Sequence, residues 1–248
     1  MNQTTIINKI NDLNYQGLKE AYVRQIEDVN YHQLSFEDRL YNLLEAQDIF
    51  IHNKRIKSNL RASKIKDKQA SIEDIDYNTK RKIDKQTIQS LSTMNFIRNY
   101  QNIIITGKTG TGKSYIAQSL ANRAIQDGFK VYYTRVPTLL EDIKIARADG
   151  TYTNLLKKYS KFQLLILDDF GVSTITTDDA TNLFEIIEDR TELNSTIITS
   201  QLPVSQWHEY LNNSTIADAI LDRVVHSSHR IELEGESMRK LRSKINKK

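Results

Sequence analysis

The stretch "NIIITGKTGTGKSYIAQSLA", Asn102 to Ala121, opens as an apolar run, breaks into glycine, threonine and lysine, and resumes with helical spacing. Of eight glycines in the chain, three (Gly107, Gly110 and Gly112) fall in one hexapeptide. Glycines let a backbone curl until successive N–H groups point inward at an anion. The spacing Gly107-x-x-x-x-Gly112-Lys113-Ser114 is that of a phosphate-binding loop, with Lys108, Thr109, Gly110 and Thr111 completing the cradle. In such a loop Lys113 reaches the β- and γ-phosphates and the Ser114 hydroxyl ligates Mg²⁺. The helix starting near Gly112, with Tyr115 in its first turn, turns its positive dipole end to the nucleotide. The alternative is a glycine-rich turn that binds nothing. The strand–loop–helix context, which the motif requires, favours the nucleotide.

Outward from this stretch, apolar strands alternate with helical patterns. Strands read at 102–106, 130–134, 163–168, 195–199 and 229–233, and helices at 113–127, 137–148, 151–160, 177–192, 203–211 and 215–224. Continuous apolar strands between helices imply an α/β fold with a five-stranded parallel sheet covered on both faces. Gly128 suits the C-cap of the first of these helices.

Ligands of parallel sheets gather at the carboxyl ends of the strands. "LLILDDF" ends such a strand in two carboxylates. Asp168 is placed to hold the Mg²⁺ hydration shell beside Ser114, and Asp169 to orient or deprotonate an attacking water. Two adjacent acids favour hydrolysis over transfer to an organic acceptor. "STIITSQLP" ends another strand, where Thr199, Ser200 or Gln201 can hydrogen-bond the γ-phosphate or the water; Ser200 can equally cap the next helix. Arg223, in "AILDRVVH", reads first as a surface ion pair with Asp222 or Asp218, and second as an arginine supplied to a neighbouring subunit's site. Arg190 is a weaker candidate for that second role. His226 and His229 read as capping or packing groups, since no third ligand of suitable spacing stands near.

The 248 residues leave room for one α/β domain plus something smaller. Residues 1–68 carry helical spacing, as at Ile6, Ile7, Ile10 and Leu13, and Ser35 is a fitting N-cap in "SFEDRLYNLLEAQ". The expected organisation is a helical domain over 1–68, a nucleotide-binding domain over 69–234 entered through the linker-like "SIEDIDYNTKRKIDK", and a basic tail over 235–248 whose last segment, "RKLRSKINKK", frays. Net charge is +4, but seven basic residues against one acid crowd into Lys54–Lys68, a solvated helix face on the ordinary reading. With no cysteine, no apolar run that could span a bilayer and no apolar core in "MNQTTIINKINDLNYQG", the expectation is a soluble, cytoplasmic protein without membrane attachment.

Taken together, "SIEDIDY", "NIIITGKTGTGKS", "ARADGTYTNLL", "LLILDDFG", "STIITSQLPVSQWHE", "ADAILDRVVH" and "HRIELEGESMRK" resemble the AAA+ ATPases of the DnaA/DnaC initiator branch, and most closely the IstB-like transposition helper ATPases. The resemblance covers nearly the whole chain. It implies an AAA+ P-loop domain behind a small all-helical N-terminal domain, ATP and Mg²⁺ as cofactors, and ATP-dependent assembly into a homo-oligomer. It also implies double-stranded DNA and an IstA-like transposase as partners. It matches Arg223 to the arginine finger, sets Ser200 near the first sensor motif, and puts Ile75 and Tyr77 where the branch packs adenine. Asp169 stands where many AAA+ proteins carry Glu, which implies slow intrinsic turnover. A DnaC-type replicative helicase loader is the alternative on the same ATPase domain. A metabolic P-loop kinase would need an arginine-rich lid and an acceptor pocket, and a non-hydrolysing DNA scaffold would be separated by a turnover assay.

Overall fold

A computed structural model describes residues 2–77, 81–238 and 240. The chain divides into two compact units, Met1–Ser58 and Asn59–Lys248.

The first unit holds α1 (Gln3–Asp12), α2 (Gln16–Glu27), a 3₁₀ turn (Val29–Gln33) and most of α3 (Phe36–Ala62). Asn2 caps α1, accepting from Thr5 N at 2.9 Å, and Ser35 caps α3, accepting from Asp38 N at 3.0 Å. Gly17 sits where α2 crosses α3, since a Cβ there would lie 2.5 Å from Phe50 Cβ. Among the described residues of this unit Ile10 and Ala21 are the buried apolar side chains, while Phe36 is 71% and Tyr41 64% exposed. It buries little core of its own.

In the second unit α4 (Lys85–Leu91) and α5 (Asn95–Arg98) precede β1 (Asn102–Gly107). Then follow α6 (Lys113–Gln126), β2 (Val131–Arg135), α7 (Val136–Ala148), α8 (Tyr152–Ser160) and β3 (Leu164–Phe170). The unit continues with α9 (Thr177–Glu188), β4 (Ser195–Ser200), α10 (Trp207–Leu211), α11 (Ser214–Val225) and β5 (Ser228–Leu233). The strands form one parallel sheet in the order β2-β3-β4-β1-β5. The Ile/Leu-rich strands β1, β3 and β4 are buried because helices cover the sheet. Val136, Leu139 and Ile143 of α7, Leu183 and Ile186 of α9, and Ile220 of α11 pack in one core with Leu165, Leu167 and Ile198. No helix among the described residues is long and apolar enough to cross a membrane.

Two expected helices differ. The one read over 177–192 stops at Glu188, and the one read over 203–211 opens as a 3₁₀ turn, Val204–Gln206. The segment read as a linker, 71–85, packs on the fold together with the residues just before it, Ser71 O accepting from the Tyr115 hydroxyl of α6 at 3.2 Å. Ile65, Ala70 and Ile75 are buried. The Gln118 side-chain oxygen Oε1 accepts from Lys66 N at 3.0 Å and Asp67 N at 2.8 Å, and the Asn122 side chain donates to Asp67 O at 3.0 Å and Ala70 O at 2.8 Å. Residues 78–80 of it lie outside the described residues. The Lys54–Lys68 run is likewise not one helix face, because the helix ends at Ala62 and the chain then turns along α6. The tail read over 235–248 begins by packing on the glycine loop, where Met238 N donates to Gly110 O at 2.8 Å; of the stretch expected to fray, 239–248, residues 239 and 241–248 lie outside the described residues.

Candidate nucleotide site

The strand order assembles the site. β4 lies between β1, which leads into the glycine loop, and β3, which ends in the acids, so the last residues of β4 face both. The three carboxyl ends border a cleft of about 620 Å³.

Gly107 has φ +145°, and a Cβ there would lie 2.4 Å from Leu233 O of the neighbouring strand. Gly110 has φ +83°, and its Cβ would meet Ser237 Oγ at 2.2 Å. No L side chain fits either place, so these glycines are required by the curl and its packing. Lys113 lies within the curl, donating from Nζ to Gly107 O at 2.7 Å and Lys108 O at 2.9 Å. Thr111 Oγ1 also donates to Lys108 O at 2.9 Å, which tightens the loop. Lys108 itself contributes its carbonyl and leaves its side chain exposed. Gly112 opens α6 at φ +102°, with the Arg81 guanidinium beside it. Tyr115, in the first turn of α6, donates its hydroxyl to Ser71 O at 3.2 Å and borders the cleft.

The structure brings Ser114 and Asp168 together: Ser114 Oγ donates to Asp168 Oδ1 at 2.8 Å. Asp168 is 3% exposed and takes two further hydroxyls, Thr199 Oγ1 on Oδ1 and Tyr133 OH on Oδ2 at 2.5 Å. A serine hydroxyl beside a buried carboxylate is an all-oxygen donor set of the kind a small hard cation takes. The next residue breaks the strand. Asp169 has φ +60°, and the β3–β4 register shifts between Leu167 and Phe170. A non-glycine residue in the left-handed region costs on the order of 1–3 kcal/mol, and a bulge of this kind re-aims its side chain. The Asp169 carboxylate points into the cleft and meets Arg135 Nε at 2.6 Å.

The three polar residues that end β4 separate into three tasks. Thr199 Oγ1 accepts from Asp169 N at 3.2 Å while donating to Asp168, so it spans both acids. Ser200 is fully buried, its hydroxyl donating to Phe170 O at 2.8 Å and accepting from Leu202 N at 3.0 Å. It holds the turn and does not line the cleft, so the geometry does not fit the phosphate contact expected of it. Gln201 does line the cleft and accepts from Thr109 Oγ1 of the glycine loop at 2.7 Å.

Arg223 is not brought to this cleft. Its carbonyl accepts from the Asn102 side chain at 3.3 Å, so it sits beside the first residue of β1, whereas the loop follows the last. Six strand residues separate the two ends by roughly 17–20 Å. The guanidinium pairs with Glu188 rather than with Asp222 or Asp218, which meet His226 and His208, and it lies 5.0 Å over the Phe184 ring. This pair lowers the pKa of Glu188 through the hydrogen bond from Arg223. Arg190 is a structural clamp: 1% exposed, it donates to Tyr159 O at 2.6 Å, Phe162 O at 2.8 Å, Ser195 O at 2.6 Å and Thr196 Oγ1 at 3.3 Å. His229 meets Gln101 at 3.0 Å.

Sequence reasoning did not nominate Tyr133, Arg135, Lys66 or Arg81, all of which border the cleft. Tyr133 and Arg135 are two apart on β2 and so share a face, but that this strand pairs with the acid-bearing one is a matter of strand order. Lys66 was read with the basic run, yet its ammonium lies 5.9 Å from the Tyr133 ring centre. Ile75 does border the cleft.

A family model described as "IstB-like ATP binding protein" matches residues 8–246. The protein y4pL of Sinorhizobium fredii, named an insertion sequence ATP-binding protein, is 41% identical over 234 residues, covering 94% of this chain and 95% of that one. The ATP-binding protein of insertion sequence IS1162 from Pseudomonas fluorescens is 35% identical over 83% of this chain and 88% of its own. Among solved structures, DnaI superposes with a TM-score of 0.58 at 22% identity, covering 72% of this chain and 94% of that one, a likeness of fold. With a family match running almost from end to end and relatives of this identity, the chain belongs to the IstB-like ATP-binding proteins and is an ATPase.

Proposed function

We propose that the chain is an ATP-driven assembly factor of insertion-sequence transposition: it hydrolyses ATP between subunits, assembles on double-stranded DNA and presents that complex to an IstA-like transposase. The observation that carries the reading is the 2.8 Å Ser114–Asp168 contact, which joins the glycine loop to the acid pair across β4. Loop N–H groups and Lys113 bind the phosphates, and Gln201 senses the terminal one from the β4 side. Asp169 orients the attacking water and accepts its proton. Ser114 and Asp168 would hold a magnesium ion, which supplies charge neutralisation at the β- and γ-phosphate oxygens. Arg223 faces away from its own cleft, which favours delivery to a neighbour's. The exposed apolar side chains of α3, with Phe36 and Tyr41, suit contacts with other chains.

Lys113→Ala should lose ATP binding with its melting temperature preserved. Asp169→Asn should bind ATP normally and hydrolyse it ~10²-fold or more slowly. A wild-type turnover rate in Asp169→Asn would remove that residue from the chemistry. For DNA, the basic residues outside the cleft are the ones to change. Replacing Lys64 and Lys68 with Ala should weaken ATP-dependent duplex binding and flatten its dependence on log salt by about one per lost phosphate contact. An unchanged slope in anisotropy titrations would move the DNA contact elsewhere.

A further inference from the structure

Two of the three hydroxyls on Asp168 come from the loop and the β4 end, where the motifs lead one to look. The third comes from β2, an edge strand to which no motif assigns a part. Tyr133 is 5% exposed, and its hydroxyl donates to Asp168 Oδ2 at 2.5 Å. We propose that Tyr133 is a positioning residue, whose hydroxyl fixes the plane of the Asp168 carboxylate and thereby sets how readily the site takes a divalent cation beside Ser114. The inference rests on the proposed role of Asp168 toward that cation.

The terminal torsion of an aspartate is broad, so donors on one oxygen leave the other free to swing. Ser114 and Thr199 both bind Oδ1, and Tyr133 is the side chain that holds Oδ2. Its own position is fixed from two sides. Its backbone N–H donates to Ser63 O at 2.7 Å, which ties the segment after α3 to the free edge of β2. Its ring lies under the Lys66 ammonium. A phenol carries its proton at ordinary pH, so this hydroxyl is a donor to the carboxylate. Two residues on, Arg135 addresses Asp169 from the same face of the same strand. A tyrosine that had merely found the nearest acceptor for a buried hydroxyl would show the same contact, and the difference lies in what the contact does to cation binding.

Tyr133→Phe keeps the ring and removes only the donor. In the full chain, ATP affinity is measured by the quench of a fluorescent ATP analogue, first in EDTA and then across a Mg²⁺ series. The expected result is an affinity in EDTA within about twofold of wild type and a Mg²⁺ midpoint raised about tenfold, the size of one charge-assisted hydrogen bond. Tyr132→Phe, whose hydroxyl meets Lys158 instead, should change neither. A double-mutant cycle guards against a general loosening of the fold: in Asp168→Asn the additional loss of the Tyr133 hydroxyl should shift the midpoint no further. An unchanged or lowered midpoint in Tyr133→Phe, with wild type responsive to Mg²⁺, overturns the role of Tyr133 alone. A wild-type affinity indifferent to Mg²⁺ overturns the cation site itself, and the inference with it.

Discussion

Thr199 has one hydroxyl and spans two acids with it, donating to Asp168 and accepting from the amide of Asp169. Thr199→Val keeps the shape and deletes both bonds, so the carboxylate loses a donor and the bulge at Asp169 loses its anchor. Turnover should fall about tenfold to a hundredfold, with ATP affinity by equilibrium titration close to wild type. Ser200, one residue on, predicts the reverse. Ser200→Ala strands Phe170 O and Leu202 N, costing about 1–3 kcal/mol in urea unfolding while the turnover of the folded fraction is kept. A Ser200→Ala protein of full stability and crippled turnover would return it to the chemistry. The sequence nominates all three polar residues at this strand end, because any can hydrogen-bond. It does not divide the work, because which hydroxyl meets the acids depends on a register shift in the neighbouring strand. Composition is silent on that. The glycine loop is the opposite case: each constraint on it, a positive φ or a backbone approach, is written in the residue itself.

Elements were most legible where burial is complete. The strands read from runs of Ile and Leu fall within two residues of their observed ends, since no other conformation buries such a run on both faces. The ends of helices were less so, and α9 shows why. It stops at Glu188 so that the next turn can carry Arg190 inward, to carbonyls at the end of α8, beyond it and at the start of β4. In "IIEDRTEL" that arginine reads as a weaker candidate for an arginine supplied to a neighbouring subunit, and only the packed structure gives it an interior. Arg190→Met, of similar length and without donors, leaves those carbonyls unsatisfied. The expected loss is on the order of 3–5 kcal/mol in urea unfolding, with ATP binding by the folded fraction unaffected. A loss below about 1 kcal/mol would show that water reaches the carbonyls and that the clamp is dispensable.

At the scale of the whole molecule, the loop and Arg223 occupy opposite ends of the same sheet. An Arg223→Ala subunit should therefore be inactive alone and regain hydrolysis when mixed with Lys113→Ala, at contacts that pair an intact loop with an intact arginine. A co-assembled mixture no more active than its parts would assign Arg223 to its ion pair with Glu188 and nothing else. On the proposed role of Arg223, a subunit would give from one end and receive at the other, and so would have a polarity. It could not satisfy itself in a two-fold dimer, where like meets like; its contacts would be head to tail and either close into a ring or run on as a helix. The two outcomes count differently. In a ring every subunit is both donor and recipient, whereas an open chain of n subunits completes only n − 1 sites, leaving one end with a cleft unserved and the other with an arginine unspent. Short open chains would then be poor enzymes per subunit and long ones good, so that growth along a track would itself set the clock by which the nucleotide is consumed.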